Sequence, residues 1–165
     1  MNQIYRQLAE RIRGELPQLE RALTRAQDAW SHIQREPENH VYADSAALNL
    51  HAFYSGLERV FELVAQHLDQ RLPAGPTWQR ELLEHMAQDL PAVRPAVISR
   101  PVAQALDQLR HFRHLVRNLY ATDLEPDRMA ALFAVLPGLW PALRAELEAF
   151  GNFLQAMAEN SPGQS

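Results

Sequence analysis

The chain has 165 residues, 47% of them hydrophobic, which is enough for one domain with a sizeable core. Cysteine is absent, excluding a disulfide framework, a thiol nucleophile and thiolate metal ligation. The formal charge of −4 excludes a surface that is basic overall, although all 16 basic residues are arginine.

Met1 to Arg6 lacks the apolar core of a signal peptide, and no apolar run approaches the ~20 residues of a membrane span, so a cytoplasmic protein with no membrane partner is expected. From there, Ile4, Leu8, Ile12, Leu16, Leu19, Leu23, Ala26, Trp30 and Ile33 step by three or four residues, one apolar stripe on a long helix. Pro17 costs or kinks an interior turn, yet the stripe stays in phase across it, which predicts a single kinked helix. Glu36-Pro37-Glu38-Asn39 breaks it. A second helix is predicted over Tyr42 to Leu68, burying Leu50, Phe53, Tyr54, Leu57, Val60, Phe61 and Val64.

Leu72-Pro73-Ala74-Gly75-Pro76 is a turn by composition, and Thr77 can cap a short helix reaching about Gln88. Leu90 to Pro101 holds three prolines and reads as a loop, with Ser99 capping a fourth helix that has Pro101 in its first turn. Val102, Leu106, Leu109, Phe112, Val116 and Leu119 form that helix's apolar stripe. Asp123 to Pro126 restarts the chain for a last helix, about Asp127 to Met157, with kinks expected at Pro137 and Pro141. No repeat or linker divides the chain. The expected fold is all-α, an up-down helical bundle of four main helices plus a short one, forming one domain over 1–158 with a polar, disordered tail at 159–165.

The fourth helix carries the chemistry. Ser99 to Tyr120 holds four arginines against the single acid Asp107, a net +3 in a chain of −4. Arg110, Arg113, His114 and Arg117 lie along a face separate from the apolar stripe. Like charges at this spacing repel by a few tenths of a kcal/mol per pair, so acids from another helix or a bound anion must offset them. Glu58 and Glu62, one turn apart on the second helix, are the candidate internal partners, and an Arg–Glu network holding the bundle together is the structural reading.

The functional reading is a phosphate or nucleotide site. A histidine beside an arginine can move a proton during transfer at phosphorus while the guanidinium holds the charge. His114 is four residues from both Arg110 and Asn118, and His111 sits a turn earlier. His32, His40, His51, His67 and His85 read as structural or solvated. His111 and His114 are three apart, but no His-Glu-x-x-His pattern supports them, and Glu58 and Glu62 lack a Glu-x-x-His companion. Neither a metal nor a cofactor is expected. There is no Gly-rich phosphate loop and no nucleophile elbow.

The helix-four segment Arg110-His111-Phe112-Arg113-His114-Leu115-Val116-Arg117-Asn118-Leu119-Tyr120 resembles the HEPN superfamily. It does so together with Tyr54-Ser55-Gly56-Leu57-Glu58-Arg59-Val60-Phe61-Glu62 and Trp78-Gln79-Arg80-Glu81-Leu82-Leu83, and most resembles the HepT-like toxins. The resemblance runs from about Leu50 to Arg128. It implies a small helical bundle that dimerises, and a metal-independent endoribonuclease whose motif is Arg, four to six residues, then His, often followed by any residue and Tyr. It also implies an RNA cleft shared by two copies, and a nucleotidyltransferase antitoxin that transfers AMP to the motif tyrosine. The motif arginine falls on Arg113 and the tyrosine on Tyr120, but the histidine position holds Asn118. An asparagine amide donates and accepts hydrogen bonds without shuttling protons near neutral pH.

Three functions follow. The first is a HepT-like toxin acting on RNA, with Arg110, Arg113 and Arg117 binding phosphate and His114 as acid/base. Asn118 would position substrate, and Tyr120 would accept AMP. The second is a non-catalytic HEPN module that uses the same face to hold RNA, a nucleotide or a nucleotidyltransferase partner. The third is a helical adaptor whose arginines are all internally paired. Trp30, Trp78 and Trp140 are a large aromatic load for one small bundle, and a homodimer with helix four near the two-fold axis is expected.

Overall fold

The computed structural model describes residues 1–118 and 126–160, and the side chains of all of these except 114–118 and 126–128. Five helices fill them: α1 (Asn2–Arg35), α2 (His40–His67), α3 (Trp78–Met86), α4 (Arg100–Asn118) and α5 (Pro126–Asn160). The fold is an all-helical bundle of the predicted kind. α1 packs against both α2 and α5, and α4 packs against α2, α3 and α5.

α1 is one helix with Pro17 inside it, and its predicted stripe is buried from Leu8 to Ala26, with Ile4, Trp30 and Ile33 partly buried at its two ends. The asparagine of the predicted break caps α2: the Asn39 side chain accepts from the Val41 amide at 3.2 Å, so the helix begins at His40, two residues before the expected start. α3 stops at Met86 because the Ala87 and Gln88 amides turn back to Glu84 and His85, tightening the end. The proline-rich connection to α4 is more ordered than a plain loop. Val97 and Ile98 are buried, and both donate backbone N–H bonds to the Met86 carbonyl. Ser99 caps α4 as expected, its hydroxyl accepting from the Val102 amide at 3.4 Å. Its own amide donates to both carboxylate oxygens of Glu146 on α5.

α5 continues unbroken past Pro137 and Pro141 and reaches Asn160, two residues into the predicted tail. By length and composition Met129–Asn160 is long and apolar enough to cross a membrane. Its Leu132, Leu136, Leu143, Leu147, Phe150 and Leu154 are core residues.

The tryptophans correct an expectation. Trp140 is buried and meets Phe53 edge-on at 5.7 Å, while its indole N–H donates to Glu20 at 3.3 Å. Trp30 stacks on Phe133 at 4.8 Å with the rings 1° from parallel, and Trp78 packs against the core. One copy of the bundle packs all three against its core, Trp140 buried and Trp30 and Trp78 partly so. They supply no argument for association.

Candidate functional site at the α2–α4 seam

Tyr54, Glu58 and Glu62 recur every four residues and so share one side of α2. α4 runs alongside and contributes Asp107, Arg110 and Arg113. The Nη1 of Arg113 donates to Glu58 Oε1 at 2.6 Å, with the two side chains only 15% and 6% exposed. The guanidinium carbon lies 5.9 Å from the centre of the Tyr54 ring, a cation–π arrangement. Glu58 Oε2 and Arg113 Nε are buried without hydrogen-bond partners among the described residues.

This pairing shapes its surroundings. Burial, and then the charge on Glu58, push the Tyr54 hydroxyl far above the usual tyrosine range, so it stays neutral. Glu62 is raised for the same two reasons, burial first and the Glu58 charge second. One turn before Arg113, Arg110 donates through Nε to Asp107 Oδ1 at 2.8 Å. The exposed His111 sits beside both, with Nε2 at 3.2 Å from Arg110 Nη2 and 3.5 Å from Asp107 Oδ2.

Arg113 and Glu58 are therefore brought together, and Arg110 is held within its own helix by Asp107. The internal pair that a purely structural adaptor requires exists at Arg113. α4 carries positions 114, 117 and 118 on the turns that follow, but the side chains of His114, Arg117 and Asn118, and Tyr120 altogether, lie outside the described residues. Among the described residues, no group of three or more His, Asp or Glu side chains could hold a metal ion.

Sequence reasoning missed a second polar cluster. Arg94, in the proline-rich connection, is buried with all five N–H groups satisfied. Nε and Nη2 donate to the two Asp69 oxygens at 2.7 Å each, and Nη2 also reaches the His85 carbonyl at 3.3 Å. Nη1 donates to the carbonyls of Gln88 and Pro95. His85 Nε2 lies 2.8 Å from Asp69 Oδ2. The cluster clips the end of α2 to α3 and to the connection before α4. Its only signal in the sequence was an arginine placed just before a proline in an otherwise apolar loop.

A family model described as HepT-like protein matches residues 45–154, from within α2 to within α5. No curated protein matches the chain, and no solved structure does.

Proposed function

Because the chain belongs to the HepT-like family, we propose that it is the toxin component of a cytoplasmic toxin–antitoxin pair and acts on RNA from the basic face of α4. The observation that carries this reading is Arg113. It is the motif arginine, and Glu58 and the Tyr54 ring hold it at the α2–α4 seam. An arginine fixed in this way loses little conformational freedom when it meets a phosphate.

In this reading the bundle works as a homodimer without a metal or cofactor. Arg117 neutralises phosphate charge, Arg110 and Arg113 bind the phosphate through N–H groups that Asp107 and Glu58 do not take, and Asn118 holds the phosphate or the 2′-hydroxyl. His114 takes the 2′-hydroxyl proton as that oxygen bonds to phosphorus. The bond from phosphorus to the 5′-oxygen then breaks, and the leaving oxygen takes up a proton. A nucleotidyltransferase antitoxin would silence the site by transferring AMP to Tyr120.

One feature favours a second reading, a non-catalytic module that binds RNA, a nucleotide or the nucleotidyltransferase partner. Asn118 stands where the motif has its histidine. The two part in one experiment, in which purified protein is incubated with RNA in the presence and absence of a chelator. Cleavage that survives chelation and is lost in His114→Ala supports the nuclease. RNA that is bound but left intact, with binding weakened in Arg117→Ala, supports the module. If RNA is neither bound nor cut, the nuclease fails and the module is left only its nucleotide and nucleotidyltransferase partners, which a titration with ATP and with that partner then tests.

A further inference from the structure

We propose that the groove between α1 and α2 is a second nucleic-acid contact, one that takes the phosphodiester backbone and no base. This extends the RNA reading above and rests on it. The groove lies on a different side of α2 from the Glu58–Arg113 pair, since Arg59 follows Glu58 by one residue and a residue turns a helix by about 100°.

Its floor is made of small residues. Ala22 on α1 faces Ala52 and Gly56 on α2, and a side-chain carbon added at Gly56 would come within 3.1 Å of Leu19 Cδ2. The absence of that carbon keeps the trough open, and the Arg59 guanidinium folds back over it, with Nη2 at 3.7 Å from the same point. Arg21 and Arg25, one turn apart on α1, form the other rim.

The charge is one-sided. Three arginines face a single lining acid, Glu15, which is already bridged to Arg11 at 3.4 Å. Arg21 bonds the neutral amide of Gln18, and Arg59 interacts electrostatically with Glu62 one turn on along α2, outside the groove lining, while neither Arg25 nor Arg59 forms a close ion pair among the described residues. Three cations converging from two helices on one carboxylate that is already bridged elsewhere repel one another, and an anion relieves that repulsion.

The lining also selects among anions. The volume is about 240 Å³, below the ~300 Å³ at which pockets begin to enclose a whole small ligand. No Phe, Tyr, Trp or His lines it, so no ring is available to stack a base. What remains is guanidinium and amide donors over a shallow floor. That set suits a phosphate with its attached sugar while the strand continues outside.

The test uses the full chain, a labelled oligouridylate of twelve nucleotides and free UMP, with affinity followed by fluorescence anisotropy across a salt series. The variant is Arg25→Gln/Arg59→Gln. Both side chains are exposed, and an unchanged helical circular dichroism spectrum and thermal midpoint confirm its fold. Arg21→Gln/Arg25→Gln repeats the measurement if that fold is lost. The oligomer is expected to bind the variant at least ten-fold more weakly, with the slope of log affinity against log salt shallower by about 1.4 for two lost phosphate contacts. Equal affinity and slope in the variant and the parent protein overturn the groove and leave the α4 site standing. A parent protein that binds no oligomer overturns the RNA reading and the groove with it. UMP bound more tightly than the oligomer, and lost in the variant, overturns the backbone assignment.

Discussion

Arg113 is built into the bundle as well as into the candidate site, and the two roles can be separated energetically. Removing one member of a buried ion pair leaves the other charge without compensation, at a cost of about 3 kcal/mol or more, whereas replacing both by apolar residues is often neutral. Glu58→Ala is therefore expected to lower unfolding free energy by about 3 kcal/mol in urea denaturation, and Glu58→Leu/Arg113→Leu to recover most of that loss. A double variant that loses the sum of the separate Glu58→Leu and Arg113→Leu losses would show that the 2.6 Å contact contributes no coupling. Glu62 gives a pH signature. Burial and the neighbouring Glu58 raise its carboxyl, so the folded chain holds that proton more tightly than the unfolded chain. Stability then falls as pH climbs from the ordinary carboxylate value through the raised one. Glu62→Gln removes the penalty, so its thermal midpoint should exceed that of the parent by a margin that widens from pH 4 to pH 8. A margin that stays constant contradicts the assignment.

At the scale of elements, the clip through Arg94 holds the connection between α3 and α4 by polar contacts. Asp69→Ala strands a fully buried guanidinium, with an expected cost of about 3–5 kcal/mol. Amide hydrogen exchange across residues 88–98 should accelerate more than exchange within α1. Uniform acceleration throughout would mean that the clip has no local function. The clip also shows where legibility ended. The helices were readable because a 3.6-residue apolar period survives proline: α1 stayed in phase across Pro17 and α5 across two more. The site was half readable. Charge repulsion along α4 demanded a carboxylate, and Glu58 answered through spacing on α2. Asp69 and Arg94 belong to no periodic pattern, because a buried pair of this kind is defined by its enclosure, and enclosure exists only once α2, α3 and the connection have met. The basic groove went unread for a related reason, since Arg21, Arg25 and Arg59 are ordinary surface arginines until α1 and α2 pack together.

For the whole molecule, the family match accounts for residues 45–154, so all of α1 lies outside it although α1 forms one wall of the core. With the tryptophans packed, the exposed large hydrophobics among the described residues are Met1, Val41, Leu48 and Leu72. Val41 and Leu48 are two turns apart on one side of α2. The proposed homodimer then has a specific expectation: sedimentation at micromolar concentration gives a dimer, and Leu48→Asp shifts it toward monomer. A parent protein that sediments as a monomer removes the shared cleft from the proposed function.

The seam between α1 and α5 has a consequence for the order in which the protein assembles. Arg13 meets Asn152 and Glu20 meets Arg144 across separations of 139 and 124 residues, whereas α1 and α2 are joined by a short turn. Contacts distant in sequence are reached late, because a large loop must close before they contribute. The α1–α2 hairpin can form while the rest of the chain is still being synthesised, and the far flank of α1 waits uncovered until α5 emerges from the ribosome. Leu57→Ala should accordingly slow folding, and Leu143→Ala should mainly hasten unfolding. If instead Leu143→Ala slows folding, the last helix is among the first to dock.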